Sequence, residues 1–147
     1  MTRSILLVLA GGVAGLASAP ADAQPAWPVI LRNANVTVAL DTAAAKRNAD
    51  GSYLTVTRWD YASLHALESR RPYMSMTQTA LVRCAPVRIK RLNESFYAAN
   101  GAVVGEGTPP HPRDVQYMTW DRLKTGSDGS RAMSQVCALL TRRERRR

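Results

Sequence analysis

The sequence predicts an α+β fold in which an antiparallel sheet of about five or six strands packs on one C-terminal helix and is closed by a single disulfide. Three observations carry this. Segments rich in β-branched and aromatic residues alternate with turn signals from Trp27 to Val104, a helical apolar period follows near the C-terminus, and two cysteines stand far apart at Cys84 and Cys137.

In chain order, Met1-Thr2-Arg3 gives a positive start and Ile5 to Leu16 an apolar run too short to span a bilayer as a helix. Small residues then lead to Ala21-Asp22-Ala23, which fits a signal-peptidase site because only small side chains enter its pockets. Residues 1–23 are expected to be a signal peptide, 24–141 one domain and 142–147 a basic tail. With no cysteine beside the expected cleavage site, lipid attachment is not expected, and the mature part should be soluble after export. Removing 23 of the 147 residues leaves 124, a single-domain length with room for one modest core.

Trp27 to Asp41 breaks at Asn33-Ala34-Asn35 and then alternates through Val36, Val38 and Leu40, which predicts a short strand or two. Thr42 to Asp50 suits a turn of helix capped by Asp41 or Thr42, and Asp50-Gly51 marks a tight turn. Tyr53 to Tyr61 is the densest β-forming stretch, with Leu54 and Val56 on one face and Tyr53, Thr55, Thr57 and Trp59 on the other. After a polar loop around Arg70-Arg71-Pro72, Tyr73 to Cys84 alternates again, with Met74, Met76, Gln78, Ala80, Val82 and Cys84 on one side. Ala85-Pro86 is short enough to bend that strand into the next, Val87 to Tyr97, which begins with Val87 and Ile89 inward and Arg88 and Lys90 outward. Gly101 to Gly107 reads as one more short strand. Thr108-Pro109-Pro110-His111-Pro112 has too few amide donors to join a ladder and must be loop, and Val115 to Leu123 carries Trp120. From Arg131 to Arg143 the residues Met133, Val136, Cys137 and Leu140 fall on one helical face, with Ser130 as the expected N-cap.

Export delivers the two cysteines to an oxidising compartment, where an even pair reads first as one disulfide, with a free pair or a metal site as the other uses. The available histidines, His65 and His111, give no zinc-ligand spacing with them. Closing so long a loop would remove on the order of 4 kcal/mol of unfolded-chain entropy.

The net charge is +9, and it survives removal of the leader because that segment holds one base, Arg3, and one acid, Asp22. Five arginines and Glu144 in the tail supply +4 of it. A terminal charge run is ordinarily solvated; its functional reading is contact with lipopolysaccharide, an anionic membrane surface, a heparin-like glycan or an acidic protein face. Nucleic acid is not an expected partner, since the chain has no helix-turn-helix, zinc-finger or aromatic-platform motif.

The catalytic signals are weak. His65 sits in a polar loop and His111 between prolines, no nucleophile elbow or phosphate-binding loop is present, and Asp60, Asp114, Asp121 and Asp128 lack calcium-loop spacing. No enzyme activity, catalytic residue, cofactor or metal is expected. Trp27, Trp59 and Trp120 read as core before they read as a binding platform.

The succession of Trp27, Val38-Ala39-Leu40-Asp41, Val56-Thr57-Arg58-Trp59-Asp60-Tyr61, Tyr73-Met74-Ser75, Arg83-Cys84, the Val87 to Arg91 strand and Tyr97 resembles the surface-adhesin protein E domain of Gram-negative bacteria. The resemblance continues through Gly101-Ala102-Val103-Val104, Trp120, Leu123, Gly126-Ser127 and Val136-Cys137. It implies a curved antiparallel sheet on a C-terminal helix, the two cysteines bonded, and a noncatalytic adhesin of host extracellular-matrix or serum proteins such as vitronectin, laminin and plasminogen. The expected binding surface is a basic sheet face of Arg58, Arg83, Arg88, Lys90 and Arg91, helped by Arg70 and Arg71. The alternative is a periplasmic envelope protein that touches lipopolysaccharide or membrane phosphate through its basic surface.

Overall fold

Alternation of apolar and polar residues at period two converts most of the chain into strands that bury one face. The computed structural model describes residues 27–66 and 71–146. The expected signal peptide and Arg70 lie outside the described residues. The strands are β1 (Val29–Arg32), β2 (Val36–Leu40), β3 (Lys46–Arg47), β4 (Tyr53–His65), β5 (Tyr73–Cys84), β6 (Val87–Tyr97) and β7 (Val103–Glu106), followed by the helix α1 (Asp128–Glu144). All pairings are antiparallel, in the order β1-β2-β4-β5-β6-β7, with β3 added beside β4.

Short-range polar contacts set the corners. The break at Asn33-Ala34-Asn35 is an Asx turn: the Asn33 side-chain oxygen accepts from the amides of Asn35 and Val36 at 2.8 and 3.0 Å, which reverses the chain between β1 and β2. Asp41 likewise accepts from the amides of Ala43 and Ala44, so the expected capped turn forms. It does not propagate, because β3 then pairs with the start of β4 through a turn closed by Gly51 at φ +79°, a conformation that costs glycine little. Ala85 and Pro86 are the two-residue link of the β5–β6 hairpin, whose first pair is Cys84 opposite Val87.

The core lies between α1 and one side of the sheet. Val36, Val38 and Leu40 of β2, Tyr53 and Trp59 of β4, Val82 of β5 and Ile89 of β6 meet Ala132, Met133, Val136, Cys137 and Leu140 of the helix. Each large apolar side chain among them contributes roughly 1.5–3 kcal/mol by leaving water. Two threonines are buried on this same face, and each has a partner: Thr55 donates to the Ala80 carbonyl at 3.1 Å, and Thr57 accepts from the Trp59 indole at 3.0 Å. The Cys84–Cys137 disulfide joins the end of β5 to the middle of α1, with the two Cα atoms 5.5 Å apart. It therefore fastens the helix to the strand that runs beneath it.

The helix is longer than the apolar period predicts. Ser127, with extended backbone, accepts from the Ser130 amide at 3.2 Å, so the N-cap is Ser127 and not Ser130, which lies inside the first turn. Asp128 adds a carboxylate to that first turn and accepts from the Asn33 side chain at 2.8 Å, tying the helix start to the β1–β2 corner. At the other end the helix runs through Arg142 and Arg143 to Glu144, past the expected domain boundary at 141. Those two arginines complement the negative end of the helix dipole, and Arg143 donates to the Thr42 carbonyl at 2.8 Å. Among the described residues no helix is long and apolar enough to cross a membrane.

The cap assignment is testable: Ser127→Ala should lower unfolding stability by about 1 kcal/mol. Ser130→Ala should change it by a few tenths at most, since alanine suits a helix interior. Urea unfolding of both variants separates the two serines.

Candidate binding surface

Because strand side chains alternate, covering one face of β4, β5 and β6 with α1 leaves the opposite face outward. On that outer face Arg58 of β4 stands opposite Thr77 of β5, Arg83 of β5 opposite Arg88 of β6, and Leu81 opposite Lys90. Four of the basic residues expected to act together, Arg58, Arg83, Arg88 and Lys90, therefore share a face. Arg91 does not. It pairs across the sheet with the buried Ala80 and lines a helix-side cleft with Trp59, Glu94 and Met133. Neighbouring residues of a strand point to opposite sides, so Lys90 and Arg91 cannot both be outward. Arg71 is exposed just before β5, at the far end of the sheet from Arg83.

Lys90 is the second correction. It is only 6% exposed and is not part of an open basic surface. The cause is the stretch from residue 108 to 122, which crosses the outer face as a strap. The strap makes a 3-10 turn over Val115–Tyr117, where the Lys90 ammonium donates to the Val115 carbonyl at 2.9 Å. It then brings the Trp120 ring against two cations, with the Arg83 guanidinium 4.3 Å and the Lys90 ammonium 5.0 Å from the ring centre. The backbone of Asp121 finally exchanges hydrogen bonds with Ile89 at 2.8 and 3.2 Å, extending the sheet past the free edge of β6. Sequence reasoning marked Trp120 but not the strap, because its anchors lie 25 or more positions away in β6.

The remaining cations are partly committed. Arg58 pairs with Asp60 at 3.0 Å, Arg83 with Asp50 at 3.2 Å, and Arg91 with Asp121 at 3.2 Å. Such exposed pairs contribute little to stability, about 0–1 kcal/mol each. They do leave each of these arginines about half exposed beside its carboxylate. The Asp50 carboxyl is held below its ordinary value, chiefly by the Ser52 hydroxyl at 2.6 Å, then by the Ser52 amide and by Arg83. Its contribution to stability is therefore full above the ordinary carboxylate range and disappears as pH falls through the depressed value.

Further along the outer face, Arg58, Ser75, Thr77, Tyr97 and Gly101 line an open depression of about 280 Å³, floored by the Thr77–Tyr97 hydroxyl contact at 3.3 Å. On the strap, Tyr117 projects with 80% of its surface exposed. The histidines lie elsewhere and in the open: His65 stacks on Tyr61 with ring centres 4.1 Å apart, and His111 accepts from the Arg113 amide. What the outer face assembles is a broad, open, basic and hydroxyl-bearing surface.

A family model described as surface-adhesin protein E matches residues 27–138, which takes in every strand, the strap and the helix through the disulfide. No curated protein and no solved structure matches the chain significantly.

If Lys90 anchors the strap, Lys90→Ala removes a charged hydrogen bond and one side of the Trp120 contact together. The expected loss is about 1.5–3 kcal/mol. Hydrogen exchange at the Asp121 amide should quicken more than exchange in β4, because the strap is released before the sheet opens.

Proposed function

The chain belongs to the surface-adhesin protein E family, and from that premise we propose that it is a noncatalytic exported protein that binds host extracellular-matrix or serum proteins through its outer sheet face and strap. The observation that carries this reading is the division of the sheet. One face is used up by α1, while the other presents Arg58, Arg83, Arg88 and, on the strap, Tyr117 around the open depression beside Arg58. Arginine and tyrosine are the side chains that anchor protein interfaces, since each combines a large contact area with directed hydrogen bonding. Family membership supports an exported or cell-surface location.

The test is binding of the oxidised chain from Gln24 to Arg147 to immobilised vitronectin, laminin, plasminogen and lipopolysaccharide, titrated from low to physiological salt. Saturable binding to a host protein that persists at physiological salt, and that weakens at least tenfold in an Arg58→Ala/Tyr117→Ala double variant, is the expected result. Binding confined to lipopolysaccharide would move the protein to a periplasmic envelope role.

A second reading has its own support. Arg142, Arg145 and Arg146 make no ion pair with any described residue, and Lys46 and Arg47 of β3 lie at the same end of the molecule, where Arg47 meets Glu144 at 3.4 Å. This corner suits an anionic surface such as lipopolysaccharide or membrane phosphate. Serine at positions 142, 143 and 145 to 147 should then release the protein from envelope fractions, and retention would end this reading.

A further inference from the structure

The end of the sheet at the β5–β6 hairpin carries more cations than it can pair. Arg83, Arg88, Lys90 and Arg122 gather there, and among the described residues the carboxylate that reaches them is Asp50, on Arg83. Lys90 is committed to the Val115 carbonyl and the Trp120 ring. Two arginines remain. Neither the Arg88 nor the Arg122 side chain makes a hydrogen bond or ion pair with a described residue, and the two line one shallow cavity of about 270 Å³.

The position of that cavity makes the imbalance informative. Arg88 sits directly across the ladder from Arg83, a like-charge pair that destabilises a sheet unless something negative lies nearby. Asp50 neutralises the Arg83 side of the pair and leaves Arg88 uncompensated. Arg122 is brought to the same place by the strap, whose Asp121 backbone is locked to Ile89, so both guanidinium groups come from anchored backbone. The rest of the lining is apolar, from Pro86, Val87 and Leu123. Val87 and Leu123 are only partly covered by the core they pack against, and a free inorganic anion would use the arginines without covering what those two side chains leave exposed. A carboxylate beside an apolar side chain would use both, since planar guanidinium forks bind a carboxylate through paired hydrogen bonds.

We propose that the cleft between the start of β6 and the end of the strap, bounded by Arg88 and Arg122, docks an acidic residue of a protein partner, with an adjoining apolar side chain packed on Pro86, Val87 and Leu123. This deepens the reading of the chain as a protein-binding module and rests on it. The cleft then supplies specificity for an acidic-apolar segment, and the arginines already paired with carboxylates supply the wider basic surround.

The experiment uses the isotopically labelled oxidised chain and follows the arginine Nε–H signals by NMR at constant ionic strength. Three probes are titrated: an acetylated Leu-Glu-Leu amide, its Gly-Glu-Gly counterpart, and inorganic phosphate. The Arg88 and Arg122 signals should shift saturably with the leucine-flanked peptide while Arg58 stays still. The Gly-flanked peptide and phosphate should bind several-fold more weakly. Arg88→Gln and Arg122→Gln should each weaken the peptide roughly tenfold, with the backbone amide spectrum otherwise unchanged to show an intact fold. No saturable shift at these two residues overturns the proposal, and so does an equal response to all three probes, which would reveal an adventitious anion site only. Peptide binding together with failure of every host protein would leave the cleft standing and remove the adhesin reading. Host binding that is indifferent to both glutamine variants would do the reverse.

Discussion

The attachment of α1 to one side of the sheet is the constraint on which the rest of the molecule depends. Side chains along a strand alternate, so once Met133, Val136 and Leu140 settle on Val38, Leu40, Trp59 and Ile89, every odd residue from Tyr53 to Trp59 is committed to the core and every even one to the outside. The Cys84–Cys137 bond holds that choice in place. By closing a 53-residue separation it removes on the order of 4 kcal/mol of freedom from the unfolded chain, a large part of what a small domain has in hand. A helix packed on one face and a basic surface on the other are thus two results of one placement.

The outer face is not simply what remains. Left bare, the start of β6 would expose an unpaired edge, and the strap covers it through the Ile89–Asp121 backbone pair. The covering has an electrostatic side. It buries the Lys90 ammonium, which is expensive without compensation, and the Val115 carbonyl and the Trp120 ring supply that compensation. Trp120 gives Arg83 and Lys90, two like charges on neighbouring strands, a shared ring to contact. The same crossing carries Arg122 to Arg88, so the device that protects the edge also shapes the surface beside it.

Much of this was legible in the chain. The alternation of Tyr53 to Trp59 and of Met74 to Cys84 separates the two faces of the sheet because period two is a local property, and the spacing of Met133, Val136, Cys137 and Leu140 identifies the buried face of the helix. The expected disulfide is present, and the family suggested by the succession of residues is the one the chain belongs to. What escaped was set at a distance. Lys46 and Arg47 have no apolar pattern of their own and become a strand only because β4 offers them an edge. Ser130 looked like a cap because the apolar period begins after it, but the cap is decided by backbone geometry at Ser127. The basic surface was misdrawn for two reasons: Arg91 is on the wrong parity, and Lys90 is covered by a segment that sequence alone does not place over it.

Whether α1 is held to the sheet through Cys84 and Cys137 is tested most directly by native-state hydrogen exchange of the oxidised and the reduced chain. In the oxidised chain the amides of α1 and of β4 and β5 should exchange together, at the free energy of global unfolding. After reduction under folding conditions, the α1 amides should lose protection by a factor of a hundred or so more than those of β4 and β5, because the helix then depends on its apolar face alone. Equal protection of helix and strands in both forms would contradict the account, since the division of the sheet into a core face and a binding face would then not depend on the disulfide.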